Sequence, residues 1–449
     1  MQLGNIEMKN ILISILCYSL ISLSTLASAE ERVFVVNPTT IRDQLLSKNM
    51  SLMQALNNIE NSKLNVSLAR AKLLPSLDLG ILLPTIVNPS FLLSSITFLF
   101  PFLVPSNWLI FKREKALFES DKASYLSLEL NILSNALSLY YTFLNDQKIQ
   151  KIFQDQSLKL NEIYKNLKKQ SDILGNVSND ELAMASAQYQ ESKIRASVLQ
   201  ELLIAENASL RTLLALPLGS KLMIEDIPLM SSDFEQKTAA ELAERSIQVA
   251  PEMNQLSFLI KAAKADKFAK VFGFISFASI SGINAISNSP FDDLKIGGGF
   301  RFGIDNLINI EIGNNHIDYL FLRVEQFKEE NQKIAEILVG QIQEVKDQQK
   351  FSHQALIDRT KVYEAQKRQY ALGLLPLQTL LQTEVQLTDS YILNTKADLD
   401  LKMQRLTLLR LVIDGDFLKV KGCSPDARIE KKSFFKRDKG QSLDELCRQ

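Results

Sequence analysis

Bond-breaking chemistry needs a nucleophile, a proton carrier or a metal ion within reach of one another, and this chain offers few starting points. It has two histidines, His316 and His353, 37 positions apart on one helical pattern, with no cysteine or histidine at metal-ligand spacing. Gly297, Gly298 and Gly299 stand in a row, but no Gly-Lys-Ser/Thr follows, so they are not a phosphate loop. They read better as strand glycines. Asp292 and Asp293 beside them read as a solvated loop tip rather than a cation site. Lys431, Lys432, Lys436 and Arg437 cluster near the C-terminus, a solvated tail or a contact for anionic headgroups. These residues support no enzyme, no cofactor and no metal. The 51 basic and 51 acidic residues balance, which removes any electrostatic case for nucleic acid.

With chemistry set aside, the long elements carry the information. Gly and Pro are scarce, 16 and 12, and the amphipathic runs are very long, so the chain reads as mainly helical. Residues 106–174 form one nearly unbroken helical pattern. Leu126, Leu130, Leu133, Leu137, Tyr140 and Leu144 step by 4, 3, 4, 3, 4, a heptad seam. A helix of that length is a rod of about 100 Å, more than a globular core requires. It ends at a turn, Leu174-Gly175-Asn176-Val177-Ser178, and Ser178 with Glu181 three residues on reads as a capping box that starts a return helix over 181–216. A second long helix, 314–372, ends at Leu372-Gly373-Leu374-Leu375-Pro376, with Pro376 expected at the first position of a return helix over 377–412. Gly175 and Gly373 are 198 residues apart, and Pro75, Leu182 and Leu214 find counterparts at nearly the same offset, so the chain reads as a duplicated unit.

The remaining segments fill in that unit. Residues 1–29 resemble a secretory signal: Lys9, an apolar core and Ala27-Ser28-Ala29. Ile15 and Leu16 before Cys17 are too large for a lipoprotein leader. An exported chain meets oxidising conditions, which makes a Cys423–Cys447 disulfide the expectation. Residues 39–74 read as one helix. The apolar stretch 81–105 would suit a spanning helix by length, but Pro84, Pro89, Pro101 and Pro105 argue for two strands instead, with Trp108 following either at a membrane interface or packed at a helix start. A second strand pair is expected between 272 and 304, after a helix over 238–270. The expected division is therefore signal 1–29, first repeat 30–219, connector 220–237, second repeat 238–415 and a C-terminal tail 416–449. Four strands cannot close a barrel alone, and open edges are not tolerated in lipid. Three copies would supply 12 strands, an allowed even number, with the helices forming a hollow tube below.

The chain resembles the TolC-like outer-membrane efflux proteins over nearly all of its mature length. The resemblance is carried by Ala69-Arg70-Ala71-Lys72-Leu73-Leu74-Pro75-Ser76-Leu77, by Gly175-Asn176-Val177-Ser178 with Glu181-Leu182, and by Tyr370-Ala371-Leu372-Gly373. It implies a mainly α fold with long helical hairpins and a 12-stranded transmembrane barrel in a homotrimer. It further implies a passive exit duct in the outer membrane with a long periplasmic part, serving tripartite efflux or type I secretion with a periplasmic adaptor and an inner-membrane pump. Leu174, Gly175, Val177, Ser178, Leu372, Gly373 and Leu375 are the implied adaptor-docking tips. The aperture would be held by Tyr370 and Glu181. Thr379 and Gln382 fall where some members carry two acids, and Leu375 where some carry an arginine, so the ring is neutral here. The competing reading is a periplasmic coiled-coil adaptor or scaffold, for which the hairpins lack an inserted Gly-rich β domain.

Overall fold

The computed structural model describes residues 33–74, 102, 104–174, 177–217, 219–272 and 304–420. The expected signal peptide, both strand pairs, the Cys423–Cys447 pair and the C-terminal basic cluster lie outside the described residues.

The described elements follow one another in two matching runs. The first is β1 (Val33–Val36), α1 (Pro38–Lys48), α2 (Met50–Ala71), α3 (Pro105–Leu174) and α4 (Asn179–Leu213). The second is β2 (Lys221–Ile224), α5 (Ala239–Val249), α6 (Pro251–Phe272), α7 (Ile304–Ala371) and α8 (Leu377–Val412). The helices of the first run are 11, 22, 70 and 35 residues long, and those of the second 11, 22, 68 and 36, a recurrence that random assembly would not produce.

Two sequence expectations are corrected, and a further strand is added. The helix expected over 39–74 is broken at Asn49, whose side chain accepts from the backbone N–H of Ser51 and Leu52 and so caps α2. Its Nδ2 donates to the Leu213 carbonyl at 3.1 Å, tying the cap to the end of α4. The helix expected over 238–270 is likewise two, because Ala250 is extended and Pro251 opens α6. The segment read as a connector carries β2, which pairs in parallel with β1, Val33 opposite Lys221 and Val36 opposite Ile224.

The largest buried cluster among the described residues sits halfway along α3. Leu130, Leu133, Leu137 and Tyr140 of the heptad seam are buried there with Val36, Ile41, Leu210, Leu222, Leu406 and Phe417. Tyr140 fixes the chain after β2: its hydroxyl donates to the Glu225 carbonyl and accepts from the Ile227 N–H at 3.3 Å. Glu235 fixes the next turn. Its carboxylate binds Arg405 Nε of α8 at 2.8 Å and Lys346 Nζ of α7 at 2.7 Å. Burial alone would raise its pKa, but the two cations outweigh burial and hold it below the usual carboxylate range.

From this core the long helices run in both directions. On one side α2 and α6 pack on the first half of α3, and α6 on α7. On the other, α4 folds back on α3 and α8 on α7, giving two antiparallel hairpins joined along a seam between α3 and α8. That seam runs from Arg410–Asn131 (2.8 Å) through Ser138–Met403 (3.3 Å) to Lys159–Glu384 (3.3 Å), so residue numbers fall on one helix as they rise on the other.

Candidate functional site

The two hairpin tips form the candidate site, and each is closed by local backbone chemistry. At the first, Ser178 Oγ accepts from the Glu181 N–H at 3.2 Å, and the Glu181 carboxylate accepts from the Ser178 N–H at 3.3 Å, the reciprocal box expected from the sequence. At the second, Gly373 has φ +73°, a left-handed conformation that costs a residue with a Cβ. The N–H of Leu374 donates to the Gln369 carbonyl and that of Gly373 to the Tyr370 carbonyl, both at 2.9 Å, a Schellman closure. Pro376 stands one position earlier than expected, at the N-cap of α8 rather than inside it. Its fixed φ suits both positions, so sequence alone does not separate them.

The two tips are packed together. Leu160, Leu167, Ala185, Leu377 and Leu381 form a buried cluster, against which Val177, Leu182 and Tyr370 pack partly exposed. Tyr164 and Tyr189 stack across the first hairpin at 6.4 Å. Tyr370 and Leu375 also border a second cluster of Tyr363, Leu380 and Leu387. Burial raises the Tyr370 pKa, and the nearby Glu181 charge raises it further. The two residues are therefore neighbours electrostatically, while the Glu181 carboxylate is occupied in capping its own helix. Thr379 is half-buried and Gln382 exposed. Leu372 and Leu374 are each 73% exposed, which leaves an apolar rim at the second tip. Leu174 is the last residue of α3, and Gly175 lies outside the described residues.

Elsewhere His316 and His353 lie exposed on α7, His316 stacked on Tyr319 at 6.5 Å. Trp108 is exposed at the start of α3, its Nε1–H donating to the Phe102 carbonyl at 2.8 Å. Among the described residues no group of three or more His, Cys, Asp or Glu could hold a metal, and no helix is long and apolar enough to cross a membrane.

Among the buried carboxylates that the sequence reading missed, two lie between the long helices of the hairpins. Glu384 on α8 sits in an apolar seam between Leu380, Leu381 and Leu387, facing Lys159 of α3. Burial pushes its pKa up, against the opposing pull of Lys159, Tyr363 and Lys367. Glu206 on α4 sits between Leu203 and Leu210 and faces Asp146 of α3. Burial and the Asp146 charge push its pKa up to about 7. The available signal was a glutamate at a position where helical spacing demands leucine.

Two long antiparallel hairpins thus extend from a small mid-length core. No family model and no curated protein matches the chain. Solved structures do. A membrane protein from Pseudomonas aeruginosa matches with a TM-score of 0.66 at 14% identity, over 84% of this chain and 91% of that one. The CmeC outer membrane channel of Campylobacter jejuni matches with a TM-score of 0.66 at 13% identity, over 86% and 88%. The open state of the MtrE outer membrane channel of Neisseria gonorrhoeae matches with a TM-score of 0.61 at 13% identity, over 85% and 89%. The chain has the TolC-like outer-membrane channel fold.

Proposed function

We propose that this chain is one protomer of a trimeric outer-membrane channel-tunnel, a passive exit duct for efflux or type I secretion. The observation that carries the reading is the likeness to outer-membrane channels over 85% or more of both chains. Segments 75–101 and 273–303 would supply four strands per copy to a 12-stranded barrel, and the hairpins would line a periplasmic tube. The transported species crosses a water-filled lumen without any bond being made or broken, and energy comes from a partner inner-membrane pump. A periplasmic adaptor would dock at the tips, where exposed Leu372 and Leu374 offer apolar contact. Tyr370 and Glu181 would hold the aperture, with Thr379 and Gln382 lining a neutral ring. In the oxidising periplasm Cys423 and Cys447 would pair.

Planar-bilayer recording of the detergent-extracted full chain tests the reading. Discrete conductance steps from a trimer are expected, and a soluble monomer without conductance would refute it. Tyr370→Phe combined with Glu181→Ala should raise single-channel conductance. Unchanged steps would remove these two residues from the aperture.

A further inference from the structure

Among the described residues, one face of the two-stranded sheet is left exposed. Val33 stands opposite Lys221 and Val35 opposite Met223, and strand alternation points these four side chains to one side. The other side, Phe34, Val36, Leu222 and Ile224, packs on the mid-length core. Val33, Val35 and Met223 are 55%, 49% and 61% exposed. Single exposed apolar side chains are ordinary, but here three of the four residues on one face are apolar and adjacent. The pairing is also parallel, and parallel strands occur almost only with both faces covered.

The chain carries a cover to this spot. The described residues end at Val420, which is buried in the cluster that holds Val36 and Leu222. Ile429 follows a short way on, and then Phe434 and Phe435. The stretch from Val420 to Ile429 reaches about 30 Å when extended. Rounding the edge of a two-stranded sheet to its far face takes on the order of 15 Å, so the length suffices. Arg428, Lys431, Lys432, Lys436 and Arg437 flank the apolar residues. Such a composition suits lying on a surface with the charges in water better than entering a core.

We propose that residues 429–435 lie across the exposed face of the β1–β2 sheet, with Ile429, Phe434 and Phe435 against Val33, Val35 and Met223. The sheet is then covered on both sides by one chain, from segments far apart in its sequence. The inference rests on the sheet and on where residue 420 lies, and it holds whether or not the protein conducts.

Methionine oxidation by hydrogen peroxide, read by mass spectrometry on the detergent-extracted full chain, tests the cover. Met223 lies on the face, and Met230, 80% exposed on the loop after β2, is the reference. Met223 should oxidise about tenfold more slowly than Met230, the slowing given by a face covered about nine-tenths of the time. Phe434→Ser with Phe435→Ser should bring Met223 up to the Met230 rate. Met403, half-buried against the core, should keep its own rate in that variant, which shows that the fold is intact. Met223 oxidising as fast as Met230 in the unaltered chain would overturn the proposal, because the face would then be bare. Met223 staying slow in the double variant would overturn it too, and would assign the cover to a second copy or another partner.

Discussion

Replacing Glu206 by Gln should stabilise the protein above neutral pH and do little in acid. Glu206 is buried between Leu203 and Leu210, and its Oε2 meets no donor. Its neighbour Asp146, as a carboxylate, can only accept, and one of its oxygens already accepts from Asn145 Nδ2 at 3.1 Å. Two carboxylates can bond only by sharing a proton, which is why burial and Asp146 together hold Glu206 at about 7 instead of 4.5. The raised value means that the stabilising contribution is complete below the unfolded pKa. It is then lost as pH rises through about 7. The full difference corresponds to roughly 3 kcal/mol, and sharing it with Asp146 leaves about 1–2 kcal/mol attributable to Glu206. Gln keeps the shape and supplies an N–H to Asp146 at every pH. Thermal unfolding of the detergent-extracted chain at pH 4 and pH 8 is the assay. Near-equal midpoints at pH 4 and a midpoint higher by a few degrees for the variant at pH 8 are expected. A variant less stable at pH 8, or a difference that does not change with pH, would refute the shared proton.

Two further predictions concern the supports of the hairpins. Glu235→Ala leaves Arg405 and Lys346 facing each other without their anion, at a cost of about 3 kcal/mol in denaturant titrations at pH 7. Because the Glu235 pKa is lowered, the wild-type advantage should shrink as pH falls below the ordinary carboxylate value, and a pH-independent difference would contradict the clamp. Gly373→Ala places a Cβ at φ +73°, where no neighbouring atom obstructs it, so only backbone strain of about 1 kcal/mol is expected. Hydrogen exchange should then quicken at Leu372 to Leu374 while the core around Tyr140 keeps its protection, and global loss of protection would contradict a local effect.

The long helices and their tips were legible because heptad spacing sustained over many turns, interrupted by Gly373 or by Ser178 with Glu181, has few competing readings. The small elements were not. Val33–Val36 and Lys221–Ile224 are four residues each, too short for alternation to stand out, and their pairing joins residues 188 apart, which no local pattern encodes. Asn49 hid inside a leucine-rich periodic run, where one polar residue normally marks only the solvent side. Its capping role depends on backbone geometry rather than on composition. Pro251 was a visible signal that the helical period around it outweighed. The buried glutamates were visible as misfits among leucines, but spacing alone does not show that Lys159 and Asp146 stand opposite them on another helix.

The parallel pairing of β1 with β2 also imposes an order of events on the growing chain. Val33–Val36 emerge well before their hydrogen-bonding partner, which follows 188 residues later. Until Lys221–Ile224 arrive, the leading strand offers unpaired edges and the Val36–Leu222 part of the core has nothing to close on. The first hairpin can form from local contacts, but the mid-length belt can be fastened only by its own successor. A truncation ending before residue 221 would therefore carry a complete first hairpin and an unfastened leading end, exposed to association with other chains.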